Sequence, residues 1–416
     1  MVKHKKLGMA VAGACALFGA SAANAFGPIK AGDWDLSIGG EVNGFYTYSH
    51  CDNNARPVVG GLACTTSNNK SSSAIQSGLL PSFLVFTAKT TQEGFDIGAT
   101  IGFYPGINIA NSVGANPSGL GTSTINMRQN FLTFGDKEMG TIKIGRDLGL
   151  LGSDAILSDI TLLGVGSPFT PAGPGNTTLG RIGVGYIYAD WIPQINYTST
   201  SSMVGVGGLQ GSIGIYQPLN AIGFSGTSAV LTAHQTPGWQ GKLTYDYDVG
   251  GVTGRAWAGF FYQKADNFIP QSAGGTPGAT AVAGDVGIKA AYAGWEPVLY
   301  YYQGRGVGTT ALLFDGITVA GNKRNSNGGY AQLAYRMGKW KPAISYGFSR
   351  LALASGESPA TNPTLVNFNR SYVGQLQYSL TKALTLVGEY TMTRSSPQAG
   401  VGNVDGTLAL GAILFF

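Results

Sequence analysis

Beyond its first 25 residues this chain repeats one pattern from end to end: apolar and polar residues alternate at every second position, in short segments divided by turns. Period-two alternation gathers the apolar side chains of a strand on one face, whereas the helical repeat would scatter them. From Trp34 to Asn43 the even positions are mainly apolar, and the pattern runs on through Tyr46 and Tyr48. Phe95, Ile97, Ala99, Ile101 and Phe103 share a face, as do Ile182, Val184, Tyr186 and Tyr188, then Trp239, Leu243, Tyr245 and Tyr247. Ala331, Leu333 and Tyr335, then Leu384, Leu386 and Tyr390, repeat it before Leu408, Leu410, Ala412, Leu414 and Phe416 close the chain. No later apolar run approaches the roughly 20 residues of a membrane-spanning helix. Charged residues are 11% of the chain, against about a quarter in a soluble domain. Strands of this kind satisfy their backbone in a bilayer only when closed into a barrel. A soluble β-sandwich is the rival, but its outer faces would then present aromatic and aliphatic rows to water.

The connections alternate in length, as in an antiparallel transmembrane β-barrel with short turns at one rim and long loops at the other. Short connections such as Gln92-Glu93-Gly94, 189–193 and 248–251 separate long stretches near 50–77, 105–123, 147–178, 199–237, 265–283, 304–327, 351–367 and 395–403. This predicts about 16 strands, or 18 if 199–237 hides another hairpin, within one all-β domain spanning 26–416. Tyr48, Tyr104, Tyr188, Trp191, Tyr247 and Trp340 lie near strand ends and suit interfacial girdles.

Residues 1–25 read as a secretory signal peptide: Lys3, Lys5 and Lys6, an apolar stretch from Leu7 to Ala20, then Ala23-Asn24-Ala25 as the cleavage site. Lipidation at Cys15 is disfavoured, because Ala12-Gly13-Ala14 lacks the usual Leu. Cleavage removes three basic residues of 26 and none of the 21 acids. The near-neutral balance that remains, together with export, argues against a nucleic-acid partner. Cys51 and Cys64 are the two cysteines left, and an oxidising compartment favours a disulfide. His50 and Asp52 are too few companions for a metal site, and no motif calls for a cofactor.

Two stretches are more specific. Arg128-Gln129-Asn130-Phe131-Leu132-Thr133-Phe134-Gly135, followed by Met139-Gly140-Thr141-Ile142-Lys143-Ile144-Gly145-Arg146, resembles the hairpin entering the constriction loop of the Gram-negative general porins. That family usually carries Gly-Leu where this chain has Thr133-Phe134. The terminal Phe416 on an alternating strand resembles the assembly signal of outer-membrane barrels. The resemblance implies a homotrimer of sixteen-stranded barrels among outer-membrane lipid and lipopolysaccharide, each passing small hydrophilic solutes and ions. Each barrel would be narrowed by a third loop folded inward, here Asp147 to about Thr178, with Asp154 and Asp159 on it.

For a pore, function is an electrostatic profile along the water path. Strand parity places Lys89, Arg128, Lys143, Arg181, Arg255, Lys289 and Arg336 toward the lumen, with Glu41, Asp96 and Glu389 as inward acids. Arg146 has the opposite parity, but sits where a bend at the strand end could turn it inward. The expected constriction is a basic ladder of Arg128, Arg146 and Arg181 on the wall facing Asp154 and Asp159, giving mild anion preference; some of these arginines could equally tether the loop. In Tyr300-Tyr301-Tyr302, Tyr301 should face one side and its neighbours the other, so a lumenal sugar-stacking track is possible, though girdle positions are the simpler reading. A substrate-specific channel is the near rival. A barrel hydrolase would need a rim histidine, for which only His50 and His234 are candidates.

Overall fold

The computed structural model describes residues 26–52, 58–64, 70–107, 125–168, 177–201, 208–233, 235–267, 275 and 277–416. The expected leader and His234 lie outside the described residues. Among the latter the strand segments are β1 Phe26–Ala31, β2 Trp34–Cys51, β3 Ser71–Gln76, β4 Phe83–Gln92, β5 Phe95–Pro105, β6 Ile125–Asp136 and β7 Gly140–Leu148. They continue as β8 Trp191–Thr198, β9 Leu209–Tyr216, β10 Gly238–Val249, β11 Val252–Ala265, β12 Ala279–Ala291 and β13 Trp295–Arg305. The last five are β14 Asn325–Tyr335, β15 Trp340–Leu351, β16 Val366–Ser379, β17 Leu384–Pro397 and β18 Asn403–Phe415.

Apart from β3 and β4, which both pair with β2, each strand pairs antiparallel with its sequence neighbour, and the ladder closes where β18 pairs with β2 from Asp405↔Cys51 to Phe415↔Glu41. The 18 segments of the sheet make a closed barrel of 16 strands. β3 and β4 occupy one position, since β2 pairs with β3 above and with β4 below. β1 prolongs β18 along the same edge of β2, from Ala31↔Trp34 to Phe26↔Ile38. Phe416 completes this seam by exchanging backbone hydrogen bonds with Gly40 (2.9 and 3.0 Å). Its ring lies over that glycine, where a Cβ would stand 2.7 Å from the ring, so the seam requires Gly40.

Alternation translates directly into two faces. Leu243, Leu299, Ile344 and Leu410 stand on the outer face, each more than half exposed. Gln240, Gln375, Glu389 and Thr407 face inward and are buried. Tyr48 and Trp340 are exposed on the outer face, and Trp295–Tyr335 and Trp340–Tyr378 pack as tilted ring pairs at the short-turn rim (ring centroids 4.5 and 4.4 Å apart).

The region after β7 departs from the sequence expectation. Residues 181–188 are not a strand, and 189–193 is not a turn; the third loop runs from 149 to 190, and β8 begins at Trp191. Both parities of the segment are buried, Arg181 at 0% and Ile182 at 5% exposure, and Gly180 and Gly183 have φ of 55° and 78°. A segment with no exposed apolar face cannot be part of the lipid-facing wall. The strand lost here is regained as β9, inside the expected long loop 199–237, so the count of 16 stands. Tyr104 turns inward and is buried, while Tyr188 and Trp191 lie in or beside the third loop, so these three are not girdle residues.

A charge at mid-depth on the outer face should cost about 2–4 kcal/mol. Leu410→Arg is therefore expected to lower the stability of the vesicle-refolded barrel by that amount in urea titration, with Leu410→Ala costing clearly less.

Candidate pore constriction

The third loop is hydrogen-bonded to side chains on the buried faces of the wall strands. It opens with Gly152, whose φ of 76° and whose approach to the Ile187 carbonyl (2.8 Å from an added Cβ) exclude a side chain. A short helix, α1, follows over Ser153–Ser158. A 3₁₀ turn over Ile160–Leu163 comes next, capped by Asp159, whose Oδ1 accepts the Thr161 N–H at 3.0 Å. Such a loop leaves many backbone groups without ladder partners, and buried ones must be satisfied.

Inward side chains of the wall supply the partners in sequence around the barrel. Gln240 on β10 accepts the Leu150 and Leu151 N–H groups (2.7 and 3.0 Å). Asp285 on β12 accepts the Gly152 N–H at 2.8 Å. Tyr330 on β14 donates to the Ala155 carbonyl at 2.8 Å, and Gln332 both accepts from Ile160 N–H (2.7 Å) and donates to Ser158 (3.1 Å). Gln375 on β16 donates to the Ile160 carbonyl at 3.1 Å. Glu389 on β17 accepts the Val165 and Gly166 N–H groups (3.1 and 2.6 Å). Finally Leu79 N–H, between β3 and β4, donates to the Gly164 carbonyl at 2.9 Å.

Asp154 points from α1 to the wall, where Lys242 of β10 (2.6 Å) and Arg255 of β11 (3.2 Å) meet its two oxygens. Burial works to raise this carboxyl, but Lys242 and Arg255 outweigh it and hold the pKa at about 2. Arg255 also grips Asp246 through Nε and Nη2 (2.6 and 2.7 Å), and Lys289 is its cross-strand neighbour. Water reaches this cluster, since the Arg255 side chain remains 32% exposed.

Asp159 is held differently. Arg181, the third member of the expected wall ladder, belongs to the loop itself, with its Nε 3.6 Å from Asp159 Oδ1. Arg181 Nη1 donates to Ser371 on β16 (2.8 Å), and Tyr186 donates to Asp159 Oδ2 (2.8 Å). Both charged groups are fully buried, which makes the pair a fastening of the loop and not a lining of the water path.

Arg128 and Arg146 stand elsewhere. A bulge in β6, where Gly102 pairs with Gln129 but Phe103 with Met127, turns Arg128 inward against the Tyr104 and Trp191 rings (5.2 and 6.0 Å). The charges of Arg128 and Arg146 both act on Tyr188 and Asp190 at the loop's end, where burial raises the Asp190 carboxyl. Lys143 pairs with Asp147 on its own strand, below the Phe131 ring. Lys89 lies near the short-turn end of β4, and Arg336 meets Glu296 at the same rim (3.4 Å). Glu41 is buried at the β2–β18 seam with Asn43 donating to it at 2.8 Å. Cys51 and Cys64 form a disulfide (Cα–Cα 5.2 Å) beneath the first loop, whose Leu62 and Ala63 N–H groups bond Ser395 of β17.

The structure thus brings Asp154, Arg255, Lys289 and the unanticipated Lys242 together, and separates them from Arg128 and Arg146. Lys242 was readable as a charge at inward parity. A second feature left less trace in the sequence. Ala221, Leu231, Leu312, Leu313 and Ile317, from the fourth and sixth loops, pack with third-loop residues onto Trp257, Phe261, Tyr300 and Tyr302 of the inner wall. Tyr300 and Tyr302 are consequently buried, and form neither a sugar track nor a girdle.

A closed, lipid-faced barrel with its third loop fastened across inward side chains defines an outer-membrane channel. The sequence profile of the Gram-negative porins matches residues 10–398, and the chain belongs to that family. Among solved structures, the outer-membrane channel DcaP of Acinetobacter baumannii superposes with TM-score 0.68 at 15% identity, covering 94% of this chain and all of that one (100%). OmpF of Salmonella typhi, solved with daunomycin, gives TM-score 0.57 at 14% identity, covering 94% and 100%. OmpT of Vibrio cholerae gives 0.51 at 12% identity with the same coverage, 94% and 100%. No curated protein matches.

Removing the Asp154 charge leaves two cations facing a neutral amide. Asp154→Asn is expected to loosen α1, raising open-channel current noise, while Asp246→Asn, at the cluster's wetter edge, changes it less. Because the Asp154 carboxyl is depressed, its contribution is intact above pH about 4 and fades only as pH falls toward 2. Wild-type noise should therefore stay flat down to pH 4, as a planar-bilayer pH series would show.

Proposed function

We propose that this porin forms a water-filled homotrimeric channel for passive diffusion of small hydrophilic solutes and ions, with a mild preference for anions. The observation that carries the anion preference is the cluster below α1. There Lys242, Arg255 and Lys289 stand against Asp154 and Asp246; a third carboxylate, Asp285, is buried on the Gly152 N–H, which leaves the cationic excess on the side that water reaches. A charged cluster on one side of a narrow aqueous path focuses its field across that path, and an excess of one sign enriches the opposite ion. Arg128 and Arg146 over Asp190 repeat the imbalance farther round the wall.

The apolar packing of the fourth and sixth loops into the lumen supports a second reading, a channel selective for one solute class. Less of the barrel's cross-section is then left to water than one inserted loop would leave. Saturable current block by a single solute class favours it over unselective diffusion. A hydrolase reading gains little from His50, which contacts Ser71 at 2.9 Å but stands 3.6 Å from an exposed Asp52. An ion pair that wet orients a ring weakly.

Single-channel recording in a salt gradient tests the main reading. Large stable current steps with an anion-favouring reversal potential are expected, and Arg255→Gln with Lys289→Gln should move that potential toward or past zero. Absence of conductance in a correctly folded barrel refutes it.

A further inference from the structure

The mechanism above uses charges inside the barrel, yet a second set stands outside it. At the long-loop end of the wall, β15, β16 and β17 each carry an arginine: Arg350, Arg370 and Arg394. Each has the outward parity of its strand, shared with Ile344, Tyr372 and Tyr390, which are exposed on the lipid-facing side. Arg370 pairs directly with Arg394 in the ladder. Arg350 pairs with Phe368 and Arg370 with Phe348, so these two arginines are diagonal neighbours. None of the three forms a salt bridge among the described residues.

Like charges opposite one another on adjacent strands destabilise a sheet, so such a triplet calls for a shared counter-ion. Its depth says where that anion lies. Phe348 stacks with Phe368 (5.8 Å) and Tyr346 packs at a tilt on Tyr372 (5.0 Å), forming an aromatic patch on the same face, and the Arg370 guanidinium lies 6.0 Å from the Phe368 ring. Aromatic residues of this kind mark the level of lipid headgroups. The arginines therefore stand where the hydrocarbon ends, on the rim of the long loops, which in outer-membrane barrels is the external one.

We infer that Arg350, Arg370 and Arg394 form a docking site for the phosphorylated headgroup of an outer-leaflet glycolipid. Guanidinium groups bind phosphate through parallel N–H···O bonds, and one phosphate can bridge two neighbouring forks. A phosphate seated between Arg370 and Arg394 would turn their repulsion into a shared attraction, while the acyl chains lie along Tyr346, Tyr372 and Tyr390. The inference rests on the outer-membrane channel reading only for which rim faces outward.

The test is native mass spectrometry of the detergent-solubilised, heat-modifiable barrel titrated with purified lipopolysaccharide. Arg370→Gln alone is expected to weaken binding roughly tenfold, and Arg350→Gln, Arg370→Gln and Arg394→Gln together by still more. Enzymatic removal of the lipid phosphates should weaken the wild type as much as the triple substitution does. Lys339→Gln with Lys382→Gln, at the opposite rim, should leave affinity unchanged. Undiminished binding by a correctly folded triple variant overturns the proposal. So does a triple variant that keeps its glycolipid but loses its oligomeric band, which would assign the arginines to a subunit contact. Conductance, recorded in parallel, should survive the triple substitution. A wild type that binds glycolipid without conducting would refute the channel and leave the docking site standing.

Discussion

Backbone amides placed in hydrocarbon have no water to turn to, and every other feature of this molecule follows from that one demand. A sheet meets it only if its first and last strands find each other, which here means β18 against β2, with β1 and Phe416 finishing the edge at Gly40. Closure then divides every strand into a lipid side and an inner side. The outer side tolerates almost any apolar residue. The inner side becomes the place where polar chemistry can be concentrated, and the chain uses it first to hold its own loop.

That use explains why the inner wall is rich in Gln, Asp, Glu and Tyr instead of simply charged. A loop crossing a lumen cannot join the ladder, so its N–H and carbonyl groups need partners that reach across. Gln332 serves one of each, and Glu389 receives two N–H groups. Each bond of this kind contributes about 1 kcal/mol net, but an unmet buried group would cost more. The penalty for a missing partner thus fixes the loop more firmly than the sum of its bonds. The ion pairs of Asp154 and Asp159 act within that frame, one beside water and one sealed from it.

The barrel was legible in the sequence because lipid enforces alternation, and the hairpin 128–146 was legible because its motif is specific. The third loop's far boundary was not. Residues 181–188 alternate as cleanly as any strand, yet both their faces are buried, and alternation alone does not report what lies on either side. Arg181 was misplaced with them, moving from wall to loop. Lys242 was visible as an inward lysine, but nothing in one sequence says that Asp154 will come to rest opposite it. Arg128 stands inward as its strand suggested, but at a bulge that sets it against Tyr104 and Trp191, a meeting that leaves no mark in composition. Residues set by their own strand were readable; those set by a meeting of distant segments were not.

The apolar packing of the third, fourth and sixth loops onto Trp257, Tyr300 and Tyr330 has a bearing on transport itself. A strap fastened at many points along its length, and wedged by its neighbours, does not swing aside for a passing molecule. Permeation through such an orifice is governed by fit and friction, with no conformational step to wait for. Its temperature dependence should then follow the viscosity of water, and its selectivity should be as sharp or as blunt as the fixed outline that the loops leave open.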